Sequence, residues 1–160
     1  MKKWLLYSCV VVGSFFLLAI WMINSLLLDD YEVLEANWGI HLPRATEIKD
    51  LITTENSFHG DGEWFTLFKY SKPINLSESN FVKLSSEQIA EANNKIANFQ
   101  QRTLEIRQND KDVVDVFKTY DVEAAVDDYY YYEERNNGFD TIVLLYRSQT
   151  KQLYKYEWHQ

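Results

Sequence analysis

His59-Gly60-Asp61-Gly62-Glu63 is the stretch of this chain whose residue types and spacing most invite chemistry. An imidazole and two carboxylates so close together could ligate a metal, or one carboxylate could assist a base in hydrolysis. Ligands must converge, however, and no second local histidine or cysteine completes the set. His41 and His159 are distant in sequence and carry no motif. Glycines around an aspartate are also what a tight turn needs, since glycine takes positive φ freely. The turn reading is preferred, and His59, Asp61 and Glu63 stand as the candidate site. A hydrolytic or metal-binding centre there predicts that His41, His159 or a distant carboxylate folds to within coordinating distance.

Two other acidic stretches carry residue types that could bind a ligand. Asp110-x-Asp112, with Asp115 and Asp121 beyond, resembles the start of a calcium loop, but the sixth position holds Asp115 where an EF-hand needs glycine. A solvated acidic turn explains it better. Asp127-Asp128 precede four consecutive tyrosines, and Asp127, Asp128, Tyr130 and Tyr132 are a candidate interaction surface, because tyrosine gives contact area at low entropic cost. Against that, alternate tyrosines are ordinary lining for a sheet. There is no glycine-rich phosphate loop, nucleophile elbow or cysteine–histidine arrangement. The sequence therefore predicts neither an enzyme nor a resident cofactor or metal.

The elements that must position these residues follow from periodicity. Tyr31, Leu34 and Trp38 recur at helical spacing and Gly39 offers a stop, so residues 29–38 are expected as a juxtamembrane helix. Residues 46–54 and 63–70 are expected strands, with Trp64, Thr66, Phe68 and Tyr70 on one face of the second. The longest helix is expected over 86–107, opened by a Ser85/Gln88 capping box and ended by Asn109-Asp110. Its stripe is Ile89, Ala92, Ile96, Phe99, Thr103 and Ile106. Residues 113–126 fit strand or helix. Tyr129–Arg135, Phe139–Arg147 and Leu153–Trp158 read as a meander, with Asn137-Gly138 as a hairpin signal. The expected fold class is α+β, an antiparallel sheet of about five strands packed with one long helix over residues 39–160.

Residues 4–28 carry no charged side chain. As a helix they would span about 37 Å, against a hydrocarbon core of about 30 Å. Lys2 and Lys3 precede them and Asp29, Asp30, Glu32 and Glu35 follow. The lysine bias places residues 1–3 in the cytoplasm and residues 29–160 outside it, with the lipid bilayer as partner of the 4–28 transmembrane anchor. A cleaved signal peptide has a shorter apolar region and small residues at its cut, which Ala19 followed by Trp21 does not supply. Lipidation at Cys9 is disfavoured because Tyr7 interrupts the lipobox and most of the apolar run lies beyond it.

Cys9 is the sole cysteine, so residues 29–160 have no internal disulfide and must rest on their core. With Lys2 and Lys3 set aside, 14 basic residues face 24 acidic ones, a formal charge of −10. That disfavours nucleic acid and anionic lipid surfaces as partners of the domain and permits a basic protein.

Pro43 followed by Ser57-Phe58-His59-Gly60-Asp61-Gly62-Glu63, and Tyr129-Tyr130-Tyr131-Tyr132 followed by Phe139-Asp140-Thr141-Ile142 and Leu153-Tyr154-Lys155-Tyr156-Glu157, resemble blocks of small exported Gram-positive proteins with an N-terminal anchor or lipobox. The resemblance implies a bacterial envelope location and carries no activity. The sequence reading is thus a single-pass envelope protein whose exported domain binds another protein without catalysis, one version being an immunity-type protein against a basic toxin. The alternative is a membrane-tethered hydrolytic or metal-binding domain centred on His59, Asp61 and Glu63.

Overall fold

Alternation of apolar residues along three successive C-terminal segments builds the middle of the sheet. In the computed structural model, which describes residues 29–54, 61–76 and 79–160, the strands are β1 (Glu47–Thr53), β2 (Gly62–Lys69), β3 (Val82–Lys83), β4 (Tyr129–Arg135), β5 (Asp140–Arg147) and β6 (Gln152–His159). They form one six-stranded sheet in the order β1-β2-β6-β5-β4-β3, antiparallel at every pairing. The chain is α+β, as expected. The sixth strand, β3, is only two residues long and was missed because it lacks an alternating pattern of its own.

Register decides what each face carries. Phe65 pairs with Tyr156 and Leu67 with Tyr154, while Val143 pairs with both Tyr156 and Tyr132. These side chains share the face that receives the helices. Ile96 and Phe99 pack there in one core with Phe65, Leu67, Tyr154, Tyr156 and Trp158. Phe65 stacks on Tyr156 with ring centroids 4.4 Å apart, and Phe99 meets the same tyrosine edge-on at 5.3 Å. Such aromatic pairs contribute about 1 kcal/mol each beyond the area they bury. The opposite face carries Thr66, Phe68, Ile142, Leu144, Tyr146 and Leu153, all buried. Part of it is covered by Tyr70, Ile74 and Phe81. Tyr70 packs edge-on against Tyr146, the Ile74 N–H donates to the Tyr146 hydroxyl at 3.0 Å, and Phe81 lies against Tyr131.

Between β3 and β4 the chain inserts two helices, the long one expected and a second that enters the stretch the sequence left open between strand and helix. The first of these (Ile89–Ile106) buries Ala92, Ile96, Phe99 and Thr103, the predicted stripe, but leaves Ile106 exposed. Only half of the predicted capping box forms: the Gln88 side chain accepts from the Ser85 N–H at 3.1 Å, and the Ser85 hydroxyl donates to that same oxygen. Asp110 does not end this helix; it starts the next. Its carboxylate accepts from the N–H groups of Asp112 and Val113, opening a helix over Lys111–Thr119 that buries Val113 and Phe117. The ambiguous stretch 113–126 is therefore helical in its first half and irregular after Thr119.

The described residues divide into two units, one ending at Leu42 and one beginning at Pro43. In the first, Asp29 caps a helix over Asp30–Trp38 in a complete capping box with Glu32, and Gly39 closes it at φ 68°. In chain order these helices are α1 (Asp30–Trp38), α2 (Ile89–Ile106) and α3 (Lys111–Thr119). The expected anchor over 4–28, including Cys9, lies outside the described residues. Among the described residues no helix is long and apolar enough to cross a membrane.

Candidate functional site

The turn block enters the structure at its C-terminal end, and His59 lies outside the described residues. Asp61 is exposed just before β2, whereas Glu63 is buried beneath the helices. The Glu63 carboxylate receives the Arg107 Nε at 2.6 Å, so it is held by a guanidinium. Gly62 is required by close approach rather than by its φ. A Cβ there would fall 2.2 Å from Thr54 Oγ1 and 2.8 Å from Trp64 Cη2. That room lets Thr54 Oγ1 accept from the Glu63 N–H at 2.6 Å and donate to the Glu63 carbonyl at 2.9 Å, fastening β1 to β2.

His159 does come near this block, though not to the carboxylate of Glu63. Its backbone pairs with Gly62, while Glu63 pairs with Trp158, so strand alternation sends the Glu63 side chain and the His159 ring to opposite faces. The His159 ring packs edge-on against Trp64 and is held between two other carboxylates, Nδ1 to Asp140 Oδ1 and Nε2 to Glu157 Oε1, each at 3.0 Å. Hydrogen bonding to Glu157 and then to Asp140 raises its pKa against the opposing effect of burial. Glu157 also binds Lys155 Nζ at 2.7 Å, and both side chains are buried. The result is a polar chain, Lys155–Glu157–His159–Asp140, across β5 and β6. The carboxylates flank the imidazole on opposite sides and do not converge on a common point. Among the described residues no group of three or more His, Cys, Asp or Glu side chains could hold a metal ion. His41 belongs to the N-terminal unit, where it faces Glu35 at 3.2 Å.

The four residues of the tyrosine block do not share one open edge. Asp127 is exposed and pairs with Lys83 at 2.7 Å. Asp128 is buried, accepts from the Ala125 N–H at 3.0 Å and faces Arg147 at 3.5 Å. Tyr130 and Tyr132 pack, half-buried, against the core under α2, and burial raises the pKa of both. Tyr131 points to the other face, and burial together with its bond to Glu133 pushes its hydroxyl up to about 12.

A site that sequence reasoning missed lies where α2 crosses β4, β5 and β6. A cleft of ≈ 330 Å³ opens there between Lys95, Arg102 and Glu105 of α2 and Tyr132, Glu134 and Trp158 of the sheet. Lys95 Nζ lies 4.0 Å from the centroid of the Tyr132 ring, and the Arg102 guanidinium carbon 4.3 Å from that of Trp158. The signal was legible as two cations seven residues apart, hence on one face of α2, beside the apolar stripe. The chain matches no protein family, no curated protein and no solved structure.

Proposed function

We propose that this chain is a single-pass membrane protein whose exported α+β domain binds another protein without catalysing a reaction. The observation that carries the reading is the sheet's β1 edge. β1 is the last strand in the order, residues Glu47–Asp50 are exposed along it, and Ile48 is 37% exposed. An unpaired edge offers a row of N–H and C=O groups to an extended segment of a partner, and an exposed apolar side chain gives that segment a place to pack. The irregularity between Asp50 and Ile52 limits pairing to a short stretch. The formal −10 of residues 29–160 selects for a basic segment, as an immunity-type role would require. The uncharged run 4–28 behind Lys2 and Lys3 supports attachment to a bacterial membrane with the domain outside.

Crosslinking of the full chain in intact cells, followed by mass spectrometry, tests this reading. A specific partner kept by His59→Ala/Asp61→Ala and lost in a folded Ile48→Glu variant supports edge recognition. No reproducible partner, with a phenotype lost in the His59/Asp61 variant, would transfer the function to the turn block.

A further inference from the structure

We propose that the cleft between α2 and strands β4–β6 is a binding site for a zwitterionic α-amino acid. Its floor is aromatic and its walls carry both charge signs: Lys95 and Arg102 on one hand, Glu105 and Glu134 on the other. Within the described residues neither cation is neutralised by a carboxylate. Lys95 sits over Tyr132, while Arg102 lies over Trp158 and donates to the Gly138 carbonyl at 3.2 Å. The acids are held by neutral donors of the same lining, Glu134 accepting from the Tyr132 hydroxyl and Glu105 from the Gln101 amide. Opposite charges that line one cleft without pairing to each other are arranged for a ligand that carries both.

The aromatic floor supplies a reporter. Trp158 is 3% exposed, lines this cleft, and its indole Nε1–H has no hydrogen-bond partner among the described residues. A buried donor left without an acceptor is costly, on the order of 1–3 kcal/mol. The ring forms part of the lining, so its indole signal reports on whatever enters the cleft. A simple anion would be repelled by Glu105 and Glu134, and a simple cation by Lys95 and Arg102. A molecule with both an ammonium and a carboxylate satisfies each wall. The volume lies at the small end of ligand cavities, which run from about 300 to 1,000 Å³. This assignment is independent of whether β1 receives a partner.

The test is an NMR titration of the full chain in detergent micelles, labelled with ¹⁵N at the tryptophan indoles, with Trp158→Phe assigning the Nε1 signal. The probes are the free proteinogenic L-amino acids. At least one is expected to shift the Trp158 signal saturably. Its N-acetyl derivative and its carboxamide should each bind about tenfold more weakly, as loss of one charge-assisted hydrogen bond implies. Arg102→Gln should weaken the free amino acid by a similar factor, with the other indole signals reporting that the fold is intact. The two derivatives test wild-type protein, so they decide the matter even where a variant misfolds. No shift with any amino acid would overturn the proposal. Equal binding of the acetylated or amidated form would also overturn it.

Discussion

Arg107 Nε donates to Glu63 Oε1 across 2.6 Å, tying the residue that closes α2 to the second residue of β2. The Glu63 side chain is 5% exposed and that of Arg107 28%, so removing the guanidinium strands a carboxylate under the helices. Breaking such a pair costs about 3 kcal/mol, the low end of the buried range because Arg107 keeps some contact with water. Arg107→Ala should lower the unfolding free energy by about that much, read from urea denaturation of the full chain. Glu63→Gln should cost less, since the amide oxygen still accepts. If Arg107→Ala unfolded at the same urea concentration as wild type, the pair would hold nothing together.

Gly62 gives a second prediction for the same corner. Overpacking of a closed site costs about 1–3 kcal/mol, and the Cβ of Gly62→Ala would meet Thr54 Oγ1 at 2.2 Å. The variant should lose about 2 kcal/mol of stability, and amide exchange should quicken at Thr54 and Glu63, whose bonds depend on that approach. Unchanged exchange at those two amides would show that the β1–β2 corner absorbs the methyl group elsewhere.

How far the sequence reaches can be argued from these residues. Strong local signals placed elements well: Gly39 as a helix stop, Asn137-Gly138 as a hairpin, and the Ile96–Phe99–Thr103 stripe as the buried side of α2. What failed was whatever depends on long-range register. Val82–Lys83 becomes a strand only because β4 lies beside it. Asp128 looks like a surface acid until the chain brings Arg147 to it. His159 looked isolated, and only the β2–β6 register reveals both its nearness to Gly62 and its separation from the Glu63 side chain. The cleft was hidden for the same reason, because Trp158 is more than fifty residues from Arg102.

Asp110 supports α3 through two N–H groups, from Asp112 at 3.1 Å and Val113 at 3.4 Å. Replacing a capping aspartate by alanine costs about 1 kcal/mol. Asp110→Ala should therefore lower the urea midpoint modestly, while Asp110→Ser, which can still accept, should nearly preserve it. Equal loss in both variants would assign the effect to charge at the helix start and not to the cap bond.

His159 makes stability depend on pH in a direction that can be derived. Its two carboxylate partners raise its pKa in the folded protein above the ordinary value of 6.5. The folded state thus holds the proton more tightly than the unfolded chain. Its stabilisation is fully present below pH 6.5 and is lost as pH rises through the folded-state pKa. The stability difference between wild type and His159→Gln should therefore shrink across that rise, measured by urea denaturation at several pH values. A difference that grew with pH would reverse the assignment, and a constant one would show that the ring binds Asp140 and Glu157 as a neutral group.

If residues 29–160 recognise a basic partner at β1, attraction by their formal −10 charge should respond to salt. The Debye length falls from about 10 Å at 0.1 M to about 3 Å at 1 M ionic strength. Recovery of the partner crosslinked to the full chain should decline steeply over that range, mainly through slower association. Reversing one local charge on the strand, Glu47→Lys, should weaken binding at low salt and leave the high-salt level unchanged. Ile48→Glu, which removes the apolar contact, should weaken binding at both. Recovery indifferent to ionic strength in wild type would exclude a basic partner, while sensitivity to Ile48 alone would leave an edge that selects by shape.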